Sequence, residues 1–99
     1  MKSLIIIDFQ NDFCQPNGSL YVPKAEEAKK GIISYMQENS KNFNEIIFTK
    51  DWHTPEDESF KKNGGTWPVH CLQNSEGAEI DKELLLNLEK YNIPMKIFN

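Results

Sequence analysis

Two short apolar runs, Leu4-Ile5-Ile6-Ile7 and Ile46-Ile47-Phe48-Thr49, constrain this chain more than any other feature. Each is continuous rather than alternating, which suits a strand covered on both faces in a parallel sheet. Each also leads into an acid: Asp8 directly after the first, Asp51 two residues after the second. Between them, from Lys24 to Asn39, Ala25, Ala28, Ile32 and Met36 recur at three- and four-residue spacing, with Glu26, Glu27, Lys29 and Lys30 on the other side. That spacing predicts an amphipathic helix of about four turns, and Glu26 and Glu27 favour its start through the helix dipole. Strand, helix and strand in this order predict a right-handed β-α-β unit. In open α/β sheets, ligands gather beyond the carboxyl ends of the strands. Asp8 and Asp51 are therefore expected to face one crevice.

The rest of the chain extends the same pattern. Gln15 to Pro23 contains Pro16, Asn17, Gly18 and Pro23 and reads as a loop. Glu83 to Tyr91 places Leu84, Leu85 and Leu88 on one side of a short helix, and Met95-Lys96-Ile97-Phe98 reads as a third strand. The 99 residues suffice for one small domain. A net charge of −4, with lysine as the sole strongly basic residue, argues against a nucleic-acid partner. No apolar run approaches the roughly 20 residues needed to span a bilayer, so no membrane partner is expected. The opening Met-Lys-Ser-Leu-Ile-Ile-Ile-Asp turns acidic too soon for a signal peptide. With two cysteines, Cys14 and Cys71, the chain reads as cytoplasmic with free thiols.

Asp51 to Ser75 is a long polar segment, and a loop of this length in a small domain is usually functional or disordered. It carries both histidines of the chain, in Asp51-Trp52-His53 and Trp67-Pro68-Val69-His70. Asp-x-His puts two donors on one side of an extended segment, and His70 can return to them. Such a set with open positions fits zinc, manganese or iron(II), with Asp57 or Glu58 as a further oxygen donor; the competing reading is a surface loop. Asp8, following four aliphatic residues, is partly desolvated. That raises a carboxyl pKa unless a cation or hydrogen bonds offset it and suits a proton shuttle. A turn-capping acid is the alternative, and Asp12 has the same two readings. Phe13 and Trp67 stand in loops off the periodic faces, where they can sandwich a flat ring or close the core. Trp52 points away from Asp51 and His53 and is expected to pack. Cys14 and Cys71 read as small core residues, since a reactive thiol needs a base or a positive environment.

Several stretches, in order, resemble the nicotinamidase/pyrazinamidase family of the isochorismatase-like cysteine hydrolases. They are Ile7-Asp8-Phe9-Gln10-Asn11-Asp12-Phe13-Cys14, Val22-Pro23, Thr49-Lys50-Asp51-Trp52-His53-Thr54-Pro55, Ser59-Phe60 and Trp67 to Ala78. The resemblance implies a three-layer α-β-α parallel sheet, Rossmann-like, of which these residues supply the first three strands and their helices. It implies hydrolysis of nicotinamide to nicotinate and ammonia in NAD salvage, through a cysteine thioester. Residue by residue, it implies Asp8 as the acid that accepts the thiol proton. Asp51, His53 and His70 become ligands of a divalent metal (zinc, manganese or iron), and Phe13 and Trp67 the walls around the pyridine ring.

Two departures accompany it. Where many members carry a further histidine ligand, this sequence has Asp57, with Glu58 beside it. The family's catalytic lysine and nucleophilic cysteine fall beyond Asn99; Lys96, Cys14 and Cys71 do not occupy their places. Residues 1–99 are thus expected to be the N-terminal part of a single hydrolase domain, without turnover of their own. A homo-oligomer or a complementing C-terminal half is the expected protein partner. The alternatives are a non-catalytic metal- or ligand-binding fragment, or a related hydrolase acting on another small amide.

Overall fold

The computed structural model describes residues 1–99. The two apolar runs form parallel neighbours, β1 (Ser3–Ile7) and β2 (Glu45–Thr49), paired from Ser3↔Glu45 to Ile7↔Thr49. Between them lie a four-residue turn of helix, α1 (Asn11–Cys14), and the amphipathic helix α2 (Ala25–Asn39). After the long loop come α3 (Lys82–Glu89) and β3 (Met95–Phe98), which pairs parallel to β2 and completes a sheet of order β1-β2-β3. The α1 turn follows the acid of β1 too closely for hydrophobic periodicity to reveal it. No helix is long and apolar enough to cross a membrane.

The order explains where the core lies. Both crossovers step in the same direction across the sheet, and parallel crossovers of the one favoured hand then put both helices on one face. Ile6, Ile46 and Phe48 point to that face and bury themselves with Met36 of α2, Leu84 and Leu88 of α3, and Ile80. The opposite face carries Ile5, Ile7, Ile47 and Phe98 and has no helix over it; Ile5 is 56% and Ile7 70% exposed. The continuous run Leu4–Ile7 predicts cover on both faces, whereas here one face is covered. Of three expected layers, the helical layer and the sheet are present.

The helix α2 also departs from its sequence reading. Ala28 is exposed, and Lys29, expected on the charged face, is 5% exposed. The reason is Asp81, which has no solvent exposure and lies at the start of α3. Lys29 Nζ lies 3.2 Å from Asp81 Oδ2, 3.2 Å from Glu26 and 3.0 Å from Glu83. Asp81 Oδ2 also accepts from Gln15 Nε2 (2.9 Å), and Oδ1 caps α3 by accepting from the Leu84 N–H (3.0 Å). Burial disfavours the Lys29 ammonium, but its hydrogen bonds to Glu83, Asp81 and Glu26 outweigh that and hold its pKa above the usual lysine value.

Removing one partner of a buried pair strands the other charge, at about 3–5 kcal/mol, and the lost cap adds about 1 kcal/mol. Asp81→Ala is therefore expected to remove most of the stability of the chain, whereas Glu26→Ala, at the exposed rim, costs less than about 1 kcal/mol. Urea denaturation of both variants checks this ordering; equal midpoints would contradict it.

Candidate metal centre

The register that ends at Ile7↔Thr49 brings Asp8 and the residues after β2 to the same edge of the sheet. Asp8 adopts a left-handed backbone (φ 53°), which aspartate tolerates better than most residues. Its N–H donates to the Thr49 carbonyl (3.2 Å), and Thr49 Oγ1 donates to its Oδ1 (2.8 Å). The half-buried carboxylate borders an open, largely apolar cavity of about 420 Å³ whose wall includes Phe9, Phe13, Val22 and Ala25.

Asp51, His53 and His70 come together, each offering a ligand atom within 4.8 Å of the others. His53 Nε2 lies 2.8 Å from Asp51 Oδ1, and His70 Nε2 lies 3.2 Å from Asp51 Oδ2. The far nitrogens are already engaged. His70 Nδ1 sits 2.8 Å from the Pro68 carbonyl, which can only accept, so Nδ1 carries the hydrogen. His53 Nδ1 sits 2.7 Å from Asp57 Oδ2. With both Nδ1 atoms donating, both Nε2 lone pairs converge on the Asp51 carboxylate. Acceptors so close require a proton or a cation between them. Two imidazole nitrogens and a carboxylate, each ring held from behind by an oxygen, match the donor chemistry of a divalent metal centre with open positions.

Asp57 is thus engaged behind His53. Its Oδ1 accepts from the Ser59 hydroxyl (2.6 Å) and the Ser59 N–H (2.8 Å). These two bonds, then His53, bring its pKa down to about 2. Glu58 is exposed and outside the three-residue cluster. Burial pushes the His53 pKa down, but Asp57 and Asp51 outweigh it and leave the imidazole above its ordinary value.

Aromatic packing completes the wall. Phe60, fully buried, meets both rings edge-on, with centroids 5.3 Å from His53 and 5.5 Å from His70. Phe13 stands 5.6 Å from His70, while Trp67 remains half exposed on the segment that pairs with Phe60. Trp52 lies beneath the Lys50 ammonium, 5.2 Å from its ring centre. Sequence reasoning gave no role to Phe60 or Gln10. Phe60 shares its loop with Trp52 and Trp67, and Gln10 has Asn11 beside it, so neither stands out by residue type or spacing.

Cys14 and Cys71 are buried free thiols. Burial first, then Asp81, pushes Cys14 to about 11; burial, then Asp12 and Asp51, pushes Cys71 to about 12. Neither is a thiolate near neutral pH.

Protonation of His53 links stability and metal binding with opposite signs. Its raised folded pKa means that its pairing with Asp57 and Asp51 stabilises the metal-free protein fully below about pH 6.5 and is lost as pH rises through the folded value. Metal needs the unprotonated ring. The rise in melting temperature on adding zinc should therefore be small near pH 6 and larger near pH 8. A zinc shift that shrinks as pH rises would contradict this protonation scheme.

The Isochorismatase domain family matches residues 2–93. Among characterised relatives, the nicotinamidase of Saccharomyces cerevisiae is 35% identical over 86% of this chain and 50% of its own length. The nicotinamidase/pyrazinamidase of Mycobacterium tuberculosis is 33% identical over 85% of this chain and 46% of its own. The chain spans about half the length of the curated relatives it matches. Among solved structures, yeast nicotinamidase bound to the inhibitor nicotinaldehyde superposes with a TM-score of 0.81 at 32% identity, over 98% of this chain and 56% of that one. The pyrazinamidase of Pyrococcus horikoshii in complex with zinc gives 0.69 at 38% identity, over 79% of this chain and 43% of that one. With nearly its whole length matched, this parallel α/β chain belongs to the isochorismatase-domain family.

Proposed function

We propose that residues 1–99 are the acid- and metal-bearing part of a nicotinamidase-type amidohydrolase domain, which converts nicotinamide to nicotinate and ammonia. The observation that carries this reading is the cluster of Asp51, His53 and His70 beside Asp8, at the carboxyl ends of adjacent parallel strands. The sequence similarity to nicotinamidases and the zinc in the Pyrococcus relative support it.

In this reading Asp51, His53 and His70 hold a divalent metal, and Asp57 orients His53 from behind. The metal, when bound, supplies a Lewis-acidic point for the ring nitrogen of the substrate. Phe13 and Trp67 flank the ring, and the apolar wall beside Asp8 excludes water from the carboxamide. Asp8 takes the proton of a cysteine thiol, the thiolate forms a bond to the carboxamide carbon, and the C–N bond breaks as Asp8 returns the proton to the amide nitrogen, so that ammonia leaves and a thioester remains. A water then cleaves the thioester and yields nicotinate. The thiol is neither Cys14 nor Cys71, whose burial keeps them protonated. The bare sheet face, with Ile5 and Ile7, is where the remainder of such a domain packs.

Two outcomes follow. Purified residues 1–99 release no ammonia from nicotinamide above buffer, with or without zinc; metal-dependent release that disappears in Asp8→Ala would overturn this division of labour. In a protein carrying the whole domain, Asp8→Asn lowers kcat/KM for nicotinamide by roughly 10²–10⁴-fold while zinc content is retained. An unchanged rate would remove Asp8 from the chemistry. Preference for a different small amide by the whole domain would favour a related hydrolase instead.

A further inference from the structure

Gln10 has no solvent exposure, yet its side-chain amide is fully satisfied. Its Nε2 donates to the Asp51 carbonyl (2.8 Å) and the Ala78 carbonyl (2.8 Å), and its Oε1 accepts from the Asp51 N–H (2.8 Å). The amide therefore clasps both polar groups of one peptide unit pair around Asp51, as a neighbouring strand would. Its orientation is unambiguous: a flipped amide would set NH₂ against the Asp51 N–H. Two residues on, the Asp12 Oδ2 accepts from the Cys71 N–H (2.8 Å). Cys71 follows His70 and adopts a left-handed backbone (φ 49°), and its carbonyl accepts from the His53 N–H (3.0 Å). Asp12 is boxed in. A Cβ on Gly77 would collide with its Oδ2, and one on Gly18 would collide with its carbonyl oxygen.

All three candidate ligands thus hang, through backbone bonds, from two side chains of the turn after β1. We propose that Gln10 and Asp12 are positioning residues that set the spacing of Asp51, His53 and His70 for metal, Gln10 through Asp51 and Asp12 through Cys71. This rests on the metal reading above. It adds that the ligand spacing is imposed by the Gln10-x-Asp12 turn rather than by the loop that carries the ligands. The left-handed Cys71 is an expense that the loop does not remove for itself, because the acceptor for its N–H comes from the other strand's turn.

The test is cobalt(II) titration of residues 1–99, reading the dissociation constant and the visible absorption of the bound ion. Gln10→Glu is nearly isosteric but faces two carbonyls with an oxygen, and Gln10→Met removes every bond. Both are expected to weaken cobalt binding by roughly 10–100-fold and to alter the band positions. Asp12→Ala should weaken it by roughly tenfold or more, while Asp12→Asn, which keeps an acceptor for the Cys71 N–H, should restore most of the affinity. Leu88→Ala, in the core away from the site, lowers stability and should leave the spectrum unchanged. That contrast separates positioning from general destabilisation. Should Gln10→Met fail to fold, the Asp12→Ala and Asp12→Asn pair decides the matter. Amide exchange at Cys71, faster in metal-free Asp12→Ala and restored in Asp12→Asn, provides a readout without metal. Unchanged affinity and spectrum in folded Gln10→Glu and Asp12→Ala would overturn the proposal while leaving the metal centre standing. A wild-type chain that is folded and binds no cobalt would overturn both.

Discussion

Parallel pairing of β1 with β2 is the constraint on which the rest of this structure depends. The pairing runs in register from Ser3↔Glu45 to Ile7↔Thr49, so the segments that leave the two strands emerge side by side. Parallel strands need a crossover, and α2 supplies it; repeating the step places α3 on the same side and confines the core to one face. The chemistry-bearing residues then have one place to meet, the edge from which both strands exit. A one-residue slip would turn Ile6 and Phe48 away from the core and separate Asp8 from Thr49.

The polar groups that this arrangement buries are satisfied in networks rather than left alone. Lys29 and Asp81 tie α2 to the start of α3, with Gln15 and the α3 N-terminus sharing the same carboxylate. Gln10 ties the turn after β1 to Asp51 and Ala78. Every buried side-chain nitrogen and oxygen has a partner. This matters for function because an unpartnered buried polar group costs free energy that a small core has little surplus to offset. The Gln10 bonds also orient the start of the loop from Asp51 to Ser75, whose regular structure is limited to short turns and isolated bridges.

The geometry of the Asp51, His53 and His70 cluster follows a similar logic. His53 and His70 have their Nδ1 atoms held by Asp57 and by the Pro68 carbonyl, and Phe60 fills the space between the rings. With rotation of both imidazoles restricted, the two Nε2 atoms stay directed at Asp51. Preorganisation of this kind lowers the ordering cost of ligand binding. Asp57, close in sequence to His53 and an oxygen donor, has its oxygens engaged by Ser59 and by the far side of that histidine.

Hydrophobic periodicity and strand-end acids were enough, within the sequence, to determine the parallel α/β class, three strands and the two longer helices, because each rests on local spacing. Asp-x-His suggested a shared side for Asp51 and His53, but the return of His70, 19 residues after Asp51, stood open against a surface loop until the tertiary structure brought the three together. Tertiary structure alone decided that Lys29 is buried, since the reason lies in Asp81, 52 residues away. It also decided that Ile5 and Ile7 stand bare, because which face a crossover covers depends on strand order and not on the strand's own residues. Likewise Gln10 and Asp12 gain their partners only when residues 41 and 59 positions away fold back upon them. A side chain whose partner is a distant backbone group leaves no pattern in the sequence around it.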